Sequence, residues 1–396
     1  MNSSAGSYII GAARTPIGKL LGSLAGVSVP KLGAAAIREA MARSGFAPDR
    51  VDEVVMGNVL SAGVGQAPAR QAALAAGVPP SVPALTINKV CGSGLKAVML
   101  ADQAVRLGDA QLVVAGGMES MSRAPHLLVG SRHGWNFGHQ QMLDSMLHDG
   151  LWCSTENVVM GSLADETART ASLTRAQQDA FALESHRRAL AATAEGRFQA
   201  EIVPVTALGR KGPAIVSADE GPRPDTSPEG LAKLGAAFSL KGTVTAGNSS
   251  QISDGAAAVV VASEALAREC QSPLKARIVA SATHGVEPKD LFIAPIGAIA
   301  KVLAKAGLST RDIDLVELNE AFAAQCLACL KPFDFDPGIV NVNGGAIALG
   351  HPIGASGARV LVTLLHALSA RNLKRGLAAL CLGGGNAVAM IVELWP

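Results

Sequence analysis

Four segments of the chain set a reactive or polar side chain among small residues. In NKVCGSGLKAV, Cys91 ends the apolar stretch Pro83–Val90 and precedes a helical pattern whose first turn is Gly92-Ser93-Gly94. A thiol in that place meets the positive end of a helix and unpaired backbone N–H groups, both of which favour thiolate. A buried structural cysteine is the common fate of a free Cys, but GSG leaves room for a substrate to reach the sulfur. In NVNGGAIALGHPIGASGAR, His351 lies between Gly350 and Pro352, in a loop that opens a helix from Ala355. Most lone histidines are structural or exposed; one set among glycines and a proline has little packing around it and suits a cleft. In CLGGGNAV, Cys381 ends a strand, and the glycines after it can turn N–H donors toward an oxyanion. In ELNEAFA, Asn319 and Glu320 follow the strand pattern Ile313–Leu318. Alone, GGG would be a tight turn and ELNEAFA a helix start.

Taken together the segments describe one kind of chemistry. A cysteine nucleophile needs a base, which His351 can be. A carbanion-forming step needs a second acid/base, for which Cys381 is the candidate. Developing oxyanions need donors, available from backbone amides, an imidazole and the Asn319 amide.

These residues need a scaffold, and its pattern is layered α/β. Tyr8–Ala12, Val51–Val59 and Leu112–Ala115 read as strands; Lys31–Ser44 and Leu95–Leu107 read as helices. The same order returns later. Ala36–Met56 (AIREAMARSGFAPDRVDEVVM) aligns without a gap on Ala298–Leu318 (AIAKVLAKAGLSTRDIDLVEL), matching Gly45 with Gly307 and Asp52 with Asp314. A looser echo pairs Val90–Ala97 with Gly350–Gly357, which puts Cys91 and His351 at equivalent strand-to-helix corners. Between the halves, Met118–Ser172 is poorly periodic, Leu173–Gly196 reads as one helix opened by Thr174, and Arg210–Pro228 reads as loop. So long an excursion is expected to cover a site.

Bulk composition sets limits. With 34 basic against 32 acidic residues and no basic run, nothing supports a nucleic-acid partner. No signal-peptide pattern opens the sequence. The segment GLAALCLGGGNAVAMIVELW reads as two buried strands about a glycine turn rather than a membrane span. Six irregularly spaced cysteines do not form a disulfide framework, and Cys326 and Cys329 lie in a helical pattern with no second pair, so no metal site is expected. A reducing, cytoplasmic setting fits.

From end to end the chain resembles the thiolase family, through CGSGLKA, GTVTAGNSSQISDGAAAVV, ELNEAFA, GHPIGASGAR and CLGGGNA in family order. The resemblance implies the thiolase fold, two βαβαβαββ halves in a five-layered αβαβα arrangement with a covering loop domain. Residues 1–119 and 248–270 would form the N-terminal half, 120–247 the cover, and 271–396 the C-terminal half. It implies acetyl-CoA C-acetyltransferase chemistry: reversible Claisen condensation of two acyl-CoA molecules, or thiolytic cleavage, through an acyl-Cys91 thioester. Coenzyme A would be a substrate, with no cofactor, and the protein a homodimer or a homotetramer. His351 would take the Cys91 proton, and Cys381 would handle the α-proton. Asn319, through a water, would complete one oxyanion hole with His351, and the amides of Cys91 and Gly383 would form the other. Arg223 would lie beside the adenine and Ser250 along the pantetheine, with Leu151, Met160, Ala321 and Phe322 as apolar walls. Three places depart from the short-chain pattern: Val159-Met160-Gly161 in place of HMG, Asn248-Ser249-Ser250-Gln251 in place of NASG, and Leu291-Phe292. They leave room for longer or branched 3-ketoacyl chains. The rivals are a ketoacyl synthase, set apart by Cys381 where that family resembles a Cys-His-His pattern, and a non-catalytic acyl-CoA- or lipid-binding relative.

Overall fold

The computed structural model describes residues 6–209 and 212–395. Alternation of side chains along apolar strands, and alanine-rich faces on the helices between them, build the same unit twice. The first unit runs β1 (Ser7–Arg14), α1 (Val29–Ser44), β2 (Glu53–Gly57), α2 (Pro68–Ala76), β3 (Ala84–Ile87), α3 (Ser93–Leu107) and β4 (Leu112–Ser120). An excursion carrying α4 (Met160–Thr170) and α5 (Arg175–Ala194) follows, and the chain returns as β5 (Ser253–Ser263). The second unit runs β6 (Ala276–Gly285), α6 (Ala294–Ala306), β7 (Leu315–Leu318), α7 (Ala323–Leu330), α8 (Ile353–Ala370), β8 (Arg375–Leu382) and β9 (Asn386–Leu394).

Strand order is β1-β5-β4-β2-β3 in the first unit and β6-β9-β8-β7 in the second. Their senses agree: β5 and β9 are antiparallel to both neighbours, and the β4/β2 and β8/β7 pairs are parallel. Even the outermost pairing recurs, as Val316 bridges Val340 in parallel where β2 pairs with β3. The units join through a short antiparallel contact, Tyr8 with Arg277 and Ile9 with Ala276.

The layers follow from which way each side chain points. Val259 and Val261 of β5 face a middle core with α3 and α8, as do Val388 and Met390 of β9. Their neighbours point outward, Val260 onto α1 and α2, Ile391 onto α6 and α7. Helices, sheet, helices, sheet and helices therefore stack in five layers. Among the described residues one helix, α8, is long and apolar enough to cross a membrane; it is the buried middle layer.

The repeat extends to single hydrogen bonds. Gly45 and Gly307 close α1 and α6 in the left-handed region, at φ 75° and 66°. The Asp52 carboxylate accepts from the amides of Gln111 and Leu112, and Asp314 accepts from those of Lys374 and Arg375. Each thereby ties the start of one parallel strand to the start of the next.

Thr174 opens α5 with a reciprocal capping box to Gln177. The expected turn between β8 and β9 is made by Gly384 and Gly385, at φ 77° and 79°. Arg210–Pro228 departs from the loop expectation. Gly212–Val216 is a strand paired with Val205–Gly209, while Arg210 and Lys211 lie outside the described residues. Pro213 gives this stretch a loop-like composition, and a two-stranded ribbon tolerates proline as a buried sheet does not.

Candidate active site

Cys91 and His351 each stand two residues before the first turn of a middle-layer helix, α3 and α8. In both repeats the preceding residue is left-handed: Val90 at φ 46° and Gly350 at φ 112°. For a β-branched residue that conformation costs about 1–3 kcal/mol. It is held by Ser93, whose hydroxyl donates to Val90 O (2.7 Å) and accepts from Lys89 N (2.8 Å). The sharp bend leaves Cys91 half-buried on a cavity wall.

That cavity has a volume of about 530 Å³ and is lined by Cys91, His351, Cys381 and Gly383 together. Residues from both repeats thus converge, as equivalent corners require. Of the remaining residues anticipated from the sequence, Leu151, Met160, Arg223, Ser250, Ala321 and Phe322 all line it as well. A smaller cavity of about 190 Å³ shares Arg223, Ala246 and Gln251 with it, whereas Cys91 borders the large one alone. Asn319 is not on the wall. It is fully buried two residues before Ala321, and neither its side-chain oxygen nor its nitrogen has a protein partner. A buried amide left so calls for a bound water or ligand group.

The ring state of His351 follows from its neighbours. Ser356 Oγ donates to Pro352 O (2.9 Å), so at 2.6 Å it accepts from His351 Nδ1–H. Nε2 is then the bare nitrogen, and it has no protein partner. Burial, helped by the Arg359 charge, lowers the ring's pKa to about 3, so the imidazole is neutral. Ser356 escaped the sequence reading although it sits in GHPIGASGAR; the signal was a hydroxyl one helical turn beyond Pro352.

Cys91 differs from expectation. The backbone N–H groups of Gly383 and of Cys91 itself favour its thiolate, but burial outweighs them and raises the thiol to about 12. Its resting form is the neutral thiol, because apolar walls withdraw more solvation than a few N–H dipoles return. Burial likewise raises Cys381 well above an ordinary thiol, and the neighbouring Cys91 adds to this.

Glu119 also went unnoticed in the sequence. Buried at the end of β4, it accepts from Val59 N, Leu60 N, Asn58 Nδ2 and Gly354 N. It thus fastens the first turn of α8, and His351 before it, to the opposite sheet. Burial lifts its pKa to about 7 against those donors. The walls around Cys381 are aromatic: Phe322 meets Phe292 edge-on at 5.1 Å and Phe238 at 6.2 Å.

Comparison with known proteins agrees with this geometry. Residues 7–265 match the family described as "Thiolase, N-terminal domain", and 272–394 match "Thiolase, C-terminal domain". An acetyl-CoA acetyltransferase of Pseudomonas aeruginosa is 52% identical over 96% of this chain and 98% of its own. A probable acetyl-CoA acetyltransferase of Escherichia coli K12 is 51% identical over 97% of this chain and 98% of its own. The crystal structure of the Bacillus anthracis acetyl-CoA acetyltransferase superposes with a TM-score of 0.97 at 42% identity, covering both chains completely.

Proposed function

Since the chain belongs to the thiolase family, we propose that it is an acetyl-CoA acetyltransferase working through an acyl thioester on Cys91. One observation carries the residue assignments: Cys91, His351, Cys381 and Gly383, drawn from both repeats, line one cavity that also reaches Arg223 and Ser250. In the cleavage direction the neutral thiol gives its proton to the bare Nε2 of His351 as sulfur adds to the 3-keto carbon. The C2–C3 bond then breaks. The enolate of acetyl-CoA takes a proton from the Cys381 thiol, leaving an acyl-Cys91 thioester. Incoming coenzyme A gives its proton to Cys381, attacks the thioester, and Cys91 recovers its proton from His351. Condensation is the reverse, and two half-reactions through one covalent intermediate make the kinetics ping-pong.

Oxyanion stabilisation is assigned to the Cys91 and Gly383 amides at one oxygen, and to protonated His351 with an Asn319-held water at the other. The loss of one such donor costs about 10²–10³ in rate. Every proton has a side chain to carry it, so coenzyme A enters as substrate and no cofactor is invoked. Arg223 is placed at the adenine, Ser250 along the pantetheine, and Leu151, Met160, Ala321 and Phe322 around the thioester arm.

Assembly as a dimer or dimer of dimers is supported by exposed Val129, Trp135, Phe137 and Met142 on one excursion. Six free cysteines support a cytoplasmic setting. The test is a chain-length series of 3-ketoacyl-CoA with free coenzyme A, followed through loss of the ketothioester. Cleavage that favours four carbons and vanishes in Cys91→Ser is the expected result. A Cys91→Ser chain as fast as wild type would overturn the covalent route, and a preference for longer or branched chains would overturn the acetoacetyl-CoA assignment.

A further inference from the structure

Lys19 lines the main cavity together with Arg223. Its backbone is firmly placed. Gly18–Lys19 pairs with Ser253–Asp254, Leu20 N donates to Ile252 O (3.0 Å), and Leu21 N donates to Ser122 Oγ (2.8 Å). Leu21 holds a left-handed φ of 56°, so the turn is over-determined by its bonds rather than relaxed. The Glu220 carboxylate braces the same turn, accepting from Lys19 N (3.1 Å) and from Ser23 N at each oxygen (3.1 and 3.0 Å). The Lys19 ammonium has no ion-pair partner among the described residues, and neither has the Arg223 guanidinium, whose backbone N–H donates to His186 Nδ1 (3.1 Å). Two free cations thus border a cavity whose remaining walls are largely apolar, an arrangement suited to a ligand with an apolar arm and a multiply anionic end.

We propose that Lys19, presented by this braced turn, is an anion anchor for the phosphate-bearing end of coenzyme A, and that it sets the preference for CoA thioesters over phosphate-free pantetheine thioesters. The inference rests on the thiolase reading and adds to it a positioning residue on the N-terminal turn. A charge-assisted hydrogen bond to phosphate predicts roughly a tenfold loss of affinity on its removal.

The test compares acetoacetyl-CoA with acetoacetyl-pantetheine in wild type, Lys19→Gln and Lys19→Arg, and measures coenzyme A binding by calorimetry in the same chains. Expected is a roughly tenfold rise in KM and Kd for the CoA compounds in Lys19→Gln, with kcat and the pantetheine KM unchanged and Lys19→Arg close to wild type. Equal changes for both substrates, or none for CoA, would overturn the anchor. If wild type binds coenzyme A but cleaves neither thioester, the thiolase reading fails while the Kd comparison still decides the role of Lys19. Failure of wild type to bind coenzyme A would overturn both.

Discussion

At Cys91 two effects oppose each other, and their sizes decide the resting state of the site. A helix start and two N–H groups pull toward thiolate, each a modest contribution. Burial pushes the other way and carries the thiol to about 12, while His351 falls to about 3. At neutral pH the pair is therefore thiol and imidazole. The sign has a measurable consequence. Because both shifts favour the neutral forms, neither residue titrates between pH 5 and 10 in the free protein, and the small thiolate fraction grows tenfold per pH unit. Alkylation of Cys91 by iodoacetamide, read by mass spectrometry, is expected to rise about tenfold per unit from pH 7 to 10 without a plateau. A plateau near neutrality would instead reveal a standing thiolate–imidazolium pair.

The elements matter through how closely they approach. The first turn of α8 lies on β2 and β4, where Gly57 and Gly117 leave space: a Cβ on Gly117 would fall 2.0 Å from Gly354 O. That clash is with backbone and cannot be relieved by rotating a side chain. Gly117→Ala is expected to destabilise the fold by about 1–3 kcal/mol and to shift His351 through the displaced turn. A urea midpoint and kcat should fall together. Unchanged kcat would show that the first turn of α8 does not set the position of His351. Strands and helices were legible here because alternation and alanine-rich periodicity are local signals. The Gly212–Val216 strand was not, since proline and glycine stand equally well in an exposed ribbon and in a loop.

At the scale of the whole molecule, a buried charge cluster is one of the ties that fasten the excursion to the sheets. Arg14, at the end of β1, pairs with Glu201 at 2.5 Å and grips Asp219 through both terminal nitrogens at 2.7 and 2.9 Å. Those acids bracket the exposed ribbon and lead directly into Glu220 and Arg223. Removing one partner of a buried pair costs about 3–5 kcal/mol, because the charges left behind lack compensation. Arg14→Met is therefore expected to lower the thermal midpoint and to raise KM for coenzyme A more than it lowers kcat. The outcome against it is a stability loss with the KM for coenzyme A untouched, which would detach the clamp from the binding side.

The sequence alone determined the chemistry and the doubled scaffold. Reactive residues among glycines, strand alternation, and the paired Gly45/Gly307 and Asp52/Asp314 are all written in short stretches of chain. The two aspartates then proved to perform the same hydrogen-bonding task. Tertiary structure decided what depends on distant atoms. It brought Cys91, His351 and Cys381 onto one cavity wall, recruited Ser356 to place the imidazole proton, and set Lys19 and Arg223 along the lining of that same cavity. It also reversed the expected thiolate at Cys91. Ionisation reflects solvation lost to every surrounding layer, and no local stretch of sequence records that sum.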